Sequence, residues 1–143
     1  MTAFTTTRRV EFNDTDAAGI MHFSAFFTMM EQAEHELLRS LGLSVIQQDA
    51  EGVISWPRVA AQCEYRGAAR FEDLLTIDVT VARLGQKSVT YAFRISREAE
   101  AVAEGSITAV CCRIHPDRPM ESIPIPPAFR EGLGRYVADS DAT

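Results

Sequence analysis

Two carboxylates, a glycine and a histidine fall close together in Asp14-Thr-Asp-Ala-Ala-Gly-Ile-Met-His22, directly ahead of a long apolar-periodic segment that stops at Gly42. The stretch reads as a strand ending in an acidic turn, then a glycine, then the start of a helix. The first turn of a helix presents backbone N–H groups with no intrahelical partner, a preorganised positive site. Such donors stabilise the oxyanion of a tetrahedral intermediate. A carboxylate held nearby attacks the carbonyl carbon or takes a proton from water. Asp14 and Asp16 are both candidates for that carboxylate. Asn and Asp also build turns by bonding their own backbone, so the spacing alone leaves an architectural role open.

The elements on either side must position these groups. Thr5 to Asn13 alternates, with Arg8, Val10 and Phe12 on one side and Arg9 and Glu11 on the other, which predicts a strand with one buried face. Ser24 is placed to cap the helix that follows. Phe23, Phe26, Phe27, Met30, Ala33, Leu37, Leu38 and Leu41 recur at three- and four-residue steps, a wide apolar stripe suited to burial against a sheet. Gly42 followed by Leu43 is a glycine stop with an apolar residue after it. Glu34 falls inside the stripe and Glu31 at its edge. A carboxylate there must be paired, neutral or facing a cleft, and a helix end at the rim of the core, with Glu34 reaching solvent or an arginine, accounts for it.

Beyond a polar connector at 44–52, the pattern changes to strands. Pro57 suits an edge, a bulge or a strand beginning within Val53 to Arg66. Leu75, Ile77, Val79 and Val81 alternate strictly with Thr76, Asp78 and Thr80; a turn at Leu84-Gly-Gln-Lys-Ser88 leads to Val89, Tyr91, Phe93 and Ile95 on one face of the next strand. Gly105 to Ile114 continues as a strand. The prolines from Pro116 onward end the sheet, and Pro127 suits the first position of a short helix running to about Val137, before a polar tail at about 138–143. One long helix and about four antiparallel strands after it predict an α+β fold with the helix packed on one face of the sheet.

At 143 residues the chain is one domain by length, with 46% hydrophobic and 24% charged residues. Its net charge of -6 argues against a nucleic-acid partner, which needs a basic face. No run approaches the roughly 18 apolar residues of a membrane span, and the first residues lack an apolar signal core, so a cytoplasmic location is expected. Cys63, Cys111 and Cys112 have no zinc spacing and read as small buried hydrophobes; neither metal nor cofactor is expected.

The segment Asp14-Thr-Asp-Ala-Ala-Gly-Ile-Met-His-Phe, followed by a long helix carrying Glu31 and then hairpin-linked strands, resembles the hot-dog-fold acyl-CoA thioesterases of the 4-hydroxybenzoyl-CoA thioesterase-like family. The likeness covers about residues 5–130 of a single domain spanning 1–143. It implies an antiparallel sheet wrapped around one central helix, and hydrolysis of an acyl-CoA thioester to acid and CoA. Asp16 matches the family's catalytic carboxylate, as nucleophile or general base. The backbone N–H of Phe23 matches its oxyanion donor, and Gly19 lets the chain turn closely beneath the thioester. The Gln86-Lys87-Ser88 turn resembles the family's CoA-binding turn, with Lys87 and Ser88 on the phosphates; Arg58, Arg66 and Arg70 are further cationic candidates. Family members are homodimers or homotetramers with active sites between protomers, so self-association is expected.

Two alternatives remain beside that reading. Other hot-dog enzymes carry the carboxylate on the long helix, where Glu31 or Glu34 would serve, and hot-dog dehydratases or hydratases pair an acid with a histidine, for which His22 is the one near the motif. The family's histidine lies one position from His22, so its role is not transferred. His35 and His115 read as solvated. A non-catalytic acyl-CoA-binding module is the reading from another class.

Overall fold

The computed structural model describes residues 2–137; the tail expected at about 138–143 lies outside them. Where alternation is strictest, the strands are central. Leu75, Ile77, Val79 and Val81 are fully buried on β5 (Leu74–Leu84), and Val89, Tyr91, Phe93 and Ile95 line the same face of its neighbour β6 (Ser88–Arg97). With β1 (Phe4–Arg9), β7 (Glu100–Val110) and β4 (Arg58–Tyr65) they make an antiparallel five-stranded sheet in the order β1-β5-β6-β7-β4.

Helix α1 (Ala25–Ser40) lies across this sheet and buries Phe26, Met29, Met30, Ala33, Leu37 and Leu38. Each of these side chains other than Ala33 contributes about 1.5–3 kcal/mol, so tertiary packing rather than helix propensity holds the segment. Close approach needs Gly105 on β7, where a Cβ would collide with the Met30 side chain and the Gln62 carbonyl. The helix ends as its sequence predicts. Gly42 takes φ +76°, its N–H reaches the Arg39 carbonyl at 3.0 Å, and the Leu43 N–H reaches Leu38 at 2.8 Å, a Schellman closure.

A second, four-stranded sheet runs β2-β3-β8-β9, from β2 (Gln47–Asp49), β3 (Gly52–Ser55), β8 (Cys112–His115) and β9 (Arg118–Ser122). The chain crosses from this sheet to the larger one at Trp56-Pro57, so the expected strand 53–66 is two strands with the proline between them. Likewise 105–114 breaks at Cys111, whose N–H bonds the Lys87 carbonyl. The extra strands escape sequence reading because β2 and β9 are short and mostly or wholly exposed, leaving no alternation to detect. Helix α2 (Pro127–Gly134) is shorter than expected and docks through Phe129 and Leu133, with Trp56 stacked on Phe129 at 5.1 Å.

The cysteines and histidines also adjust the expectation. Cys111 and Cys112 are buried, with burial pushing the Cys111 thiol up to about 11, whereas Cys63 is only half-buried. His35 is not solvated: its Nε2 is buried with no partner among the described residues, and burial lowers its pKa. His115 is mostly buried beside Glu121, at 3.0 Å.

Candidate active site

The strand that leads to the acidic turn ends at Arg9, so Phe12 does not continue its buried face. Instead Phe12–Asp14 forms a 3-10 turn in which the Asp14 carboxylate accepts the Glu11 N–H at 2.8 Å. That fixes Asp14 in an architectural role and leaves Phe12 75% exposed.

Residues 14–22 then close on themselves. The His22 N–H bonds the Asp14 carbonyl (2.8 Å), the Asp16 N–H bonds Ile20 (2.9 Å), and the Gly19 N–H bonds the Asp16 carbonyl (2.9 Å). Gly19 sits at φ +81°, a conformation that favours glycine, which is its reason for being in the loop. The Met21 N–H ties the loop to the buried Ala69 at 2.7 Å. Within it, Asp16 Oδ1 accepts the N–H groups of Ala18 (2.9 Å) and Ile20 (3.4 Å). Its other oxygen, Oδ2, receives no donor among the described residues. One oxygen is therefore anchored and the other is available to react.

The helix start differs from the expected cap. Ser24 has helical dihedrals and its side chain makes no capping bond; its hydroxyl lies 2.8 Å from His22 Nδ1, which also accepts the Ser24 N–H at 3.2 Å. His22 thus serves the backbone at this turn. Phe23, counted above in the apolar stripe, is 63% exposed, and its N–H donates to no acceptor among the described residues. An unpaired donor remains where the oxyanion site was expected. Beside the loop, an open cleft of about 540 Å³ is lined by Asp16, Gly19, Thr15, Phe12 and Phe71. Phe12 and Phe71 meet edge to face at 5.9 Å, and both are exposed. Their place at the cleft was not visible in the sequence, because residue 71 joins it only through the fold.

The helix carboxylates stand elsewhere. Glu34 is 1% exposed, and both its oxygens accept from Arg58, at 2.7 and 3.1 Å; Arg58 also reaches Glu31 at 3.1 Å. Burial pushes the Glu34 carboxyl up while Arg58 pulls it down, and the two carboxylates raise the Arg58 pKa. Burial is the larger influence and leaves the Glu34 pKa raised, while the bidentate geometry to a permanently charged guanidinium favours its ionised form. This corrects the expectation for Arg58, whose donors are directed at two carboxylates rather than left free for phosphate. Arg66 likewise pairs with Glu64 and Glu104.

The Lys87 turn is exposed and held from below. Gly85 N–H bonds Ser88 O at 2.8 Å, and Arg130 of α2 donates to the Gly85 and Gln86 carbonyls at 2.6 and 3.2 Å. Lys87 forms no ion pair among the described residues.

Residues 10–133 match the model of the thioesterase-like superfamily. The chain belongs to that superfamily. A 1,4-dihydroxy-2-naphthoyl-CoA hydrolase of Synechococcus sp. (strain WH7803) is 31% identical over 111 residues, covering 73% of this chain and 72% of that protein. Among solved structures, a 1,4-dihydroxy-2-naphthoyl-CoA thioesterase from Synechocystis superposes with a TM-score of 0.82 at 25% identity, covering 93% of this chain and 96% of that one. A gentisyl-coenzyme A thioesterase superposes with a TM-score of 0.78 at 26% identity, covering 91% and 99%. The sheet wrapped on α1 is the hot-dog fold of these thioesterases.

In this thioesterase Asp16 and Lys87 lie at opposite ends of the larger sheet. Arg9, leading to Asp16, pairs with Leu74 at one end of β5, and Ser88 follows the turn at the other. Eleven residues of strand separate the two ends by about 30 Å. Among the described residues no helix is long and apolar enough to cross a membrane.

Proposed function

We propose that this thioesterase hydrolyses an acyl-CoA ester to the free acid and CoA, with Asp16 as its catalytic carboxylate and the Phe23 N–H as its oxyanion donor. The observation that carries this reading is the pairing of a carboxylate that has one anchored and one free oxygen with an unpaired N–H at the start of α1, joined by one closed loop. Oδ2 attacks the thioester carbonyl to give an acyl-aspartyl anhydride that water then cleaves to the free acid and Asp16, or it takes a proton from water that attacks the carbonyl directly. Both routes place negative charge on the carbonyl oxygen, where the Phe23 N–H stabilises it before CoA thiolate leaves. The test is thiol release, followed with a chromogenic thiol reagent, across aryl- and alkyl-CoA esters for wild type and Asp16→Asn.

The acyl group we infer is aromatic. All three relatives above are named for aromatic acyl-CoA esters, and Phe12 and Phe71 present exposed rings at the Asp16 cleft. A ring stacked there gains about 0.5–1.5 kcal/mol beyond its area burial. Phe71→Ala is therefore expected to raise KM roughly fivefold for an aryl-CoA ester and to leave that for acetyl-CoA nearly unchanged. An equal rise for both esters counts against an aryl subsite.

The working form we propose is a dimer. β4 has no neighbour on its outer edge among the described residues, and it runs from Arg58 at the Lys87 end of the sheet to Tyr65 at the Asp16 end. A second copy pairing antiparallel along that edge reverses the ends. The Lys87 turn of one protomer then comes to the same end of a continuous sheet as the Asp16 loop of the other, which supports sites between protomers. Unpaired strand edges also require cover. Sedimentation at assay concentration is expected to report a dimer or a multiple of it; a fully active monomer contradicts this assembly.

A further inference from the structure

We infer that Tyr65 is a positioning residue for the oxyanion donor, acting through the Phe23 carbonyl; the inference rests on the roles proposed above for Asp16 and Phe23. Tyr65 is the last residue of β4, and its Oη donates to the Phe23 carbonyl at 2.9 Å. That single bond joins the edge of the large sheet to the segment between the acidic loop and α1. Among the described residues it is the one hydrogen bond to an atom of residue 23: the side chain is exposed, with its ring against that of His22 at 4.6 Å, and the Phe23 N–H is unpaired. The next peptide is held at both ends by side chains, its oxygen by Tyr65 and its nitrogen, the Ser24 N–H, by His22 Nδ1.

An oxyanion donor works only when it is aimed before charge develops, and a displacement of about 1 Å forfeits much of its effect. Phe23 lies in a short irregular link where neither a ladder nor burial sets its dihedrals. The peptide that carries the donor has its own carbonyl held, His22 O accepting the Ala25 N–H at 3.0 Å, and fixing the following peptide as well restricts rotation about residue 23 from its other side. The Tyr65 ring packs edge to face on Phe26 at 5.2 Å, a contact between apolar surfaces that does not involve the hydroxyl. Tyr65 is nearly half exposed, so its hydroxyl is not there to satisfy a buried group.

The experiment compares Tyr65→Phe, Phe26→Leu and Asp16→Asn with wild type in steady-state thiol release and thermal melting. Tyr65→Phe keeps the ring and removes the bond. It is expected to lower kcat roughly tenfold or more, with KM and Tm close to wild type. Phe26→Leu removes the aromatic contact and keeps the hydroxyl; it is expected to lower Tm with kcat within about twofold of wild type. An unchanged kcat in Tyr65→Phe overturns the inference. So does a rise in KM at constant kcat, or a loss of kcat that Phe26→Leu reproduces. Asp16→Asn separates the two levels: if it retains turnover, the proposed chemistry fails, whereas its collapse beside an unaffected Tyr65→Phe defeats only the role of Tyr65.

Discussion

Asp16→Asn is expected to lower kcat for a CoA ester by about a thousandfold or more while KM stays within a few fold of wild type. The substitution is nearly isosteric, and the asparagine Oδ1 can still accept the Ala18 and Ile20 N–H groups that hold the loop. What changes is the free oxygen: the lone pair of the amide nitrogen that replaces it is delocalised into the adjacent carbonyl and neither attacks a carbonyl nor takes a proton. Losing a nucleophile or general base removes a contribution made only on the way to the transition state, so kcat falls and ground-state binding persists. Thiol release under saturating ester, alongside a binding measurement with CoA, reads both quantities. Turnover surviving in the variant moves the catalyst away from Asp16. A wild type that binds CoA and turns over no ester in the panel makes the chain a binding module.

Arg58→Ala is expected to cost about 3 kcal/mol of stability at neutral pH, near the lower end for a buried pair that loses one partner, because Arg58 is itself a quarter exposed. Glu34 would be left in the core with its carboxylate unmatched. The loss carries a pH signature. With Arg58 gone, burial, and after it the neighbouring Glu31 charge, act on Glu34 and hold its folded pKa above the unfolded value. Stability is then fully present below the unfolded value, near 4.5, and is lost as pH rises through the folded pKa. Chemical denaturation of variant and wild type from pH 4 to 8 is expected to show the deficit growing with pH. Arg58→Ala with Glu34→Gln recovers part of it at the upper end. A deficit constant across the range would mean that lost packing, rather than the stranded charge, is the cause.

Much of this architecture is legible where a single period governs a segment. The stripe from Phe26 to Leu38 and the alternations on β5 and β6 name the core directly, and Gly42 marks the end of α1 by its left-handed dihedral. The stripe also flags Glu34 as an anomaly that needs a partner, although Arg58 lies 24 residues away and nothing local identifies it. The second sheet is obscured because its outer strands carry mainly polar, exposed residues and its inner strands join the larger sheet at corners, Pro57 and Cys111. Around the candidate site the acidic loop stands out by residue type. The link from Tyr65 to Phe23 spans 42 residues and the Phe12–Phe71 pair meets only across the fold, so neither has a local pattern. Ser24 misleads for a simple reason: a histidine two residues earlier competes for the hydroxyl that would have capped the helix.

The 14–22 loop owes its shape to main-chain bonds, one aspartate and one glycine, while Ala17 and Ala18 are exposed and make no side-chain polar contact. Such a loop separates the machinery from its selectivity. Residues at these two positions can be exchanged for larger or polar ones without redrawing the carboxylate's anchor, so the chain can change which acyl groups it admits by altering the cleft rim alone. Ala17 lines the cleft directly, which makes position 17 the natural site for redirecting this scaffold toward new esters.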